Sequence, residues 1–173
     1  MGVCHFGHFL LVNLLLDRLA AAGTSRVVMV SSESHRFPRK LEFERFPLSQ
    51  SGYGSMVSYG QAKLCNVLFA NELTRRYQSR GIFSNALHPG AFIGTSIFRS
   101  SLAAQTLATA IKPFTKSIPQ GAATTVYCAT APELERVGGR YYVDCHEGKA
   151  SQGGRDVEAA TRLWQMSSER VRV

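Results

Sequence analysis

Tyr59 and Lys63 stand four residues apart in SYGQAKLCNVLFANEL, residues 58–73. On a helix that spacing puts a phenol and an ammonium on one face, about one turn apart. A free phenol has a pKa of about 10 and exchanges protons poorly at neutral pH, but a neighbouring cation favours the phenolate. A tyrosine tuned in this way can serve as a general acid or base. Any exposed helix can carry such a pair by chance, so taken alone it reads as a solvated surface feature.

Other residues converge on the same place. The run RVVMV is followed at once by Ser31 and Ser32. If the run is a strand of an open α/β sheet, both hydroxyls lie at its carboxyl end, where such sheets present groups to ligands. A hydroxyl there can donate to a carbonyl oxygen on which charge develops. For Ser31 a cap or turn role is the competing reading. A second apolar run, IFSNALH, leads into Pro89-Gly90, where the backbone of a glycine lets a flat ligand approach closely.

The elements that must hold these groups alternate. Residues 6–21 are leucine-rich with helical span, stopped at Gly23-Thr24-Ser25. RVVMVSS is β-branched without alternation, as for a strand buried on both faces of a parallel sheet. Residues 35–55 form a long polar excursion punctuated by Pro and Gly. Leu64, Val67, Leu68 and Leu73 predict an amphipathic helix over 56–77, ended by Gly81. A strand at IFSNALH follows, then a weakly amphipathic segment over 100–117, a helix over 119–130, a short strand at GGRYYV and a closing helix over 155–171. This order implies an α/β fold with a parallel sheet and crossover helices.

Composition narrows the function class. A chain of 173 residues with 45% hydrophobic content suits one globular domain. The net charge of +8 comes from dispersed residues; Arg36/Arg39/Lys40/Arg45 and Arg75/Arg76/Arg80 match no nucleic-acid motif. No nucleic-acid partner is expected. The four scattered cysteines predict neither a metal pair nor a disulfide framework, and hence a reducing, cytoplasmic setting. HFGHFLLVNLLLDRLAAA, broken by Asn13, Asp17 and Arg18, reads as too short and polar to span a membrane, although peripheral membrane contact stays open. His5 and His8 lack the partners of a metal site. His35 and His88 fall near the presumed active edge, where a loop role without catalysis is the simpler reading. Cys65 and Trp164 read as core residues.

Together, VSSESHRF, YGQAKLCNVLFANEL, NALHPG and KPFTKSIPQGAATTVYCATAPELE resemble the catalytic half of the short-chain dehydrogenase/reductases, over nearly the whole chain. The resemblance implies a partial, doubly wound parallel sheet of Rossmann type, truncated before its first nucleotide-binding half, with residues 1–173 forming the C-terminal portion of the domain. It implies Tyr59 as the proton-transfer residue, Lys63 as the group that tunes it and bonds the nicotinamide ribose, and Ser32 as the holder of the substrate carbonyl. Pro89, Gly90 and Thr95 would join Tyr59 and Lys63 around the cofactor. The expected reaction is hydride exchange between NAD(P), with NADP the expected form, and a small alcohol or carbonyl substrate. A homodimer through helices 6–21 and 56–77 is also implied.

Three departures qualify the likeness. The family's TGxxxGxG turn and NNAG strand would precede this sequence. Cys4 stands where the family has an asparagine in its proton relay, and Thr95 falls one residue late, with Gly94 in the usual place. Weak or absent cofactor binding by this chain alone is therefore expected. The competing function, from another class, is an inactive fragment or isoform that binds protein partners.

Overall fold

The computed structural model describes residues 1–45, 54–90 and 116–173. The chain enters through a wide helical turn, Gly2–Phe6, that runs directly into α1 (Gly7–Ala21). β1 (Ser25–Val30) follows, then short 3-10 turns at Glu33–Arg36 and Phe43–Arg45 within the predicted polar excursion. α2 (Ser55–Tyr77) leads to β2 (Ile82–His88). α3 (Ile118–Thr130) begins with a reciprocal cap between Ser117 and Gln120, as the sequence Ser-x-x-Gln with an early proline dictates. A hairpin of β3 (Tyr141–Val143) and β4 (His146–Gly148) precedes α4 (Val157–Val171), whose first turn is capped by the Asp156 carboxylate on the Ala159 amide. The segment expected as weakly amphipathic over 100–117 lies outside the described residues except for its last two.

The sheet order is β1-β2-β3-β4. β1 runs parallel to β2 in the register Ser25↔Ile82 to Val30↔Leu87, and β2 runs parallel to β3 from Ala86↔Tyr141. β4 adds antiparallel to β3, an element absent from the sequence reading. Its two-residue turn, Asp144-Cys145, takes positive φ at both positions, the geometry of the tightest hairpins, which is ordinarily signalled by Asn-Gly or Asp-Gly. Cysteine carries no such signal.

Every residue of β2 is buried, as expected for a central strand. β1 corrects the expectation of burial on both faces: only Ser25 and Met29 are buried, and Val30 is exposed. Among the described residues β1 pairs on one side only, so its outer edge lacks the neighbour that would close it.

Adjacent strand residues face opposite ways, and two of the three core clusters among the described residues follow from this. Ala86 and Tyr141 join Phe9, Phe69, Leu73 and Trp164 beneath α1, α2 and α4. Leu87 and Tyr142 pack with Cys128 and Leu134 beneath α3. The first core centres on three aromatic rings: Phe9 lies 5.2 Å from Phe69 and 5.0 Å from Trp164, centroid to centroid. Trp164 is thus a packing anchor, with the Arg76 guanidinium 4.7 Å above its ring.

The continuous helix Gly2–Ala21 is longer than the sequence reading allowed, and by length and composition it could cross a membrane. Only 17% of its most apolar window is buried; His5, Phe9 and Val12 are the residues it buries, and the rest of the helix is partly or fully exposed.

Candidate active site

α2 delivers Tyr59 and Lys63 to the carboxyl end of β1. The Lys63 ammonium sits 5.5 Å from the Tyr59 ring centroid and donates to the Val30 carbonyl at 3.0 Å. Asn66, one turn further on, donates to the same carbonyl at 3.3 Å. The Ser31 hydroxyl donates to the Lys63 carbonyl at 2.7 Å. Strand end and helix are therefore laced together through both backbone and side chain. Burial pulls the Lys63 pKa below its usual range, with Cys4 acting in the opposite sense. Tyr59 itself is 42% exposed, open to a ligand.

The two serines divide their work differently from the sequence reading. Ser31, for which a cap or turn was the competing role, ties β1 to α2. Ser32 is the cap: its Oγ accepts from the Ser34 amide at 3.2 Å and donates to the Ser34 hydroxyl at 3.3 Å. The donated bond is long, and is the one Ser32 would give up to hold a substrate oxygen.

The turn bearing Ser32 packs directly on α2 because Gly60 follows Tyr59. A Cβ at Gly60 would stand 2.9 Å from the Ser34 carbonyl oxygen. His35, fully buried, and His88, at the end of β2, hold the same turn from the other side. The His35 Nδ1–H donates to the Ser32 carbonyl at 2.7 Å, while its Nε2 accepts from the Ser151 amide at 3.0 Å. The His88 Nδ1 accepts from the Glu33 amide at 3.3 Å. Sequence reasoning placed both histidines near the site but missed what they hold, because the partners lie up to 116 residues away.

Pro89 and Gly90 follow β2 at the same edge. Gly90 takes φ of +112°, and the Lys116 side chain lies over its Cα, where a Cβ would meet it at 2.5 Å. Lys116 in turn pairs with Asp144. Thr95 lies outside the described residues.

The donor set fits the nicotinamide end of a dinucleotide. Lys63 spends one N–H on Val30 and retains two for ribose hydroxyls. For the pyrophosphate end, no glycine-rich turn opens a helix after a strand among the described residues. His5 is enclosed, its Nε2 2.8 Å from the Ser167 hydroxyl, and burial lowers its pKa to about 3. Cys65 is also enclosed, with burial pushing its thiol up. All four cysteines are free. Among the described residues, no group of three or more His, Cys, Asp or Glu is placed to hold a metal ion.

No family model matches the chain. It is 49% identical over 175 residues to the WW domain-containing oxidoreductase of Danio rerio and 46% identical to that of Homo sapiens, in each case over 98% of this chain and 42% of the relative. It is 41% identical over 168 residues to retinol dehydrogenase 12 of Mus musculus, covering 97% of this chain and 52% of that protein. The chain thus spans about half the length of the curated relatives it matches. Among solved structures it superposes on an uncharacterized protein from Mycobacterium Paratuberculosis with a TM-score of 0.69 and 28% identity, over 98% of this chain and 57% of the other.

Proposed function

We propose that this chain, homologous over nearly its whole length to oxidoreductases of the short-chain dehydrogenase/reductase type, supplies the proton-transfer half of an NAD(P)-dependent alcohol or carbonyl oxidoreductase. The observation that carries the reading is the Tyr59–Lys63 pair, with the ammonium 5.5 Å from the ring and anchored to the end of β1.

In the direction of carbonyl reduction, the Tyr59 hydroxyl gives its proton to the substrate oxygen as that oxygen becomes an alkoxide. In alcohol oxidation it takes the proton back. The Lys63 cation lies over the Tyr59 ring, 5.5 Å from its centroid. The Ser32 hydroxyl holds the substrate oxygen by donation, releasing Ser34 to do so. Lys63 would also hold the nicotinamide ribose, and Pro89 and Gly90 would lie against the ring. The cofactor, when bound, supplies or accepts the hydride. NADP is the form we propose, and small ketones and retinoids are the substrate class, retinoids because one relative is named a retinol dehydrogenase.

With no glycine-rich turn for the pyrophosphate among the described residues, residues 1–173 by themselves bind NAD(P) weakly or not at all and turn nothing over. The experiment is calorimetric titration of the chain with NADP and NAD beside a hydride-transfer assay on small ketones and retinal. The assay is repeated on an assembly that supplies a nucleotide-binding half. Turnover restored in the assembly and lost by two to four orders of magnitude in Tyr59→Phe, roughly the worth of a positioned acid-base group, supports the reading. An assembly that binds NADP but transfers no hydride would favour the second reading, an interaction module, whose supporting observation is the exposed leucines of α1.

A further inference from the structure

We propose that His35 and His88 are positioning residues that clamp the Ser32 turn, and that the clamp closes only when both imidazoles are neutral and in opposite tautomers. The inference rests on the catalytic reading above for why Ser32 must be held.

The hydrogen-bond polarity fixes the chemistry. A carbonyl can only accept, so the 2.7 Å contact of His35 Nδ1 with Ser32 requires a proton on Nδ1. An amide can only donate, so the 3.0 Å contact from Ser151 requires a bare Nε2. His35 is therefore the Nδ1–H tautomer. At His88 the Glu33 amide donates to Nδ1, so that ring carries its proton on Nε2. The two rings grip consecutive residues of one turn: the carbonyl of Ser32 and the amide of Glu33. A proton added to His35 turns Nε2 into a donor facing the Ser151 N–H. A proton added to His88 does the same to Nδ1 facing Glu33. Either event repels the partner and frees the turn.

The charged surroundings are mixed. His35 faces Glu33 and Arg36 on its own turn, His88 on β2 and, from β3, the Tyr141 hydroxyl, 3.4 Å from its Nδ1. His88 faces Glu33, Arg36, Lys116 and Asp144. Burial dominates at both rings and lowers both pKa values, so the clamp stays closed at neutral pH and opens in acid, below the ordinary histidine pKa of 6.5.

The test is a pH titration of the 15N-labelled chain, read in long-range proton–nitrogen spectra of the imidazoles and in the amide spectrum. Near pH 7 the expected pattern is a protonated Nδ1 at His35 and a protonated Nε2 at His88. On acidification the Glu33, Ser34 and Ser151 amides move together while the α4 amides stay. His88→Asn, whose Oδ1 can accept from Glu33 without titrating, keeps the Glu33 amide in place at low pH; His88→Leu displaces it already at neutral pH. In a hydride-transferring assembly assayed with NADPH and a small ketone, His88→Leu lowers kcat roughly ten- to hundred-fold, the scale of a misplaced active-site group. It leaves KM for NADPH unchanged, and His88→Asn recovers the rate. One tautomer shared by both rings, a Glu33 amide indifferent to His88→Leu, or an unchanged kcat in that variant overturns the proposal. The spectra are independent of turnover: opposite tautomers in a protein that never transfers hydride would leave the clamp standing and sink only the catalytic reading.

Discussion

The Nζ of Lys63 donates to the carbonyl of Val30 at 3.0 Å, so the last residue of β1 and the third turn of α2 share a bond at the point where chemistry is proposed. The bond fixes where the cation stands beside the Tyr59 ring.

Replacing Lys63 tests that anchor. Lys63→Met removes the charge and the bond to Val30, while Asn66 keeps the carbonyl partly satisfied. In an active assembly cofactor binding should weaken, read as a KM for NADP raised roughly ten-fold or more, the worth of a hydrogen bond to a charged group. An unchanged KM would make the pair a surface feature.

Gly60→Ala should be destabilising even though alanine is the better helix former. The propensity gain is about 1 kcal/mol, but the new methyl would sit 2.9 Å from the Ser34 carbonyl and 3.2 Å from the Pro38 ring. Overpacking against backbone costs about 1–3 kcal/mol. We expect a net loss of up to about 2 kcal/mol by urea denaturation, with the Ser32 turn displaced. A variant as stable as the wild type would show that the turn can retreat at no cost.

Acid stability should depend on His5. Its folded pKa is lowered to about 3 by burial, so below the ordinary value of 6.5 the unfolded chain takes up a proton that the folded chain refuses. Stability is complete above that value and falls steadily as pH drops towards 3. Between pH 6.5 and pH 4 the loss is on the order of 3 kcal/mol. His5→Gln should flatten this part of the curve, as read from melts at a series of pH values. An identical slope in both proteins would mean that the ring is hydrated in solution.

Self-association should run through α1 rather than through both helices equally. Leu11, Leu14 and Leu15 are exposed at 56%, 69% and 42%, whereas α2 is buried along most of its length and shows apolar side chains mainly at Met56 and Val57. A contiguous apolar face of this kind calls for a cover, and a second copy of the chain is the one we expect. Sedimentation at micromolar concentration should show a dimer that Leu14→Glu dissociates. A monomer at all concentrations would remove the proposal.

The sequence by itself determined most of the elements, and which groups could meet on them. The i,i+4 spacing of Tyr59 and Lys63, the β-branched run before Ser31-Ser32 and the proline and glycine after β2 are local facts. Helix period and strand termination turn them directly into positions at one edge of a sheet. Tertiary structure decided the rest. The identity of the hydroxyl that caps a turn, Ser32 rather than Ser31, depended on how β1 meets α2. The hairpin at Asp144-Cys145 had no local signature. The exposure of β1 followed from its place at the sheet edge, not from its composition. The roles of His35 and His88 were invisible because a hydrogen bond to Ser151 or Glu33 is set by which distant backbone groups the fold brings within 3 Å or so, and no spacing along the chain encodes that distance.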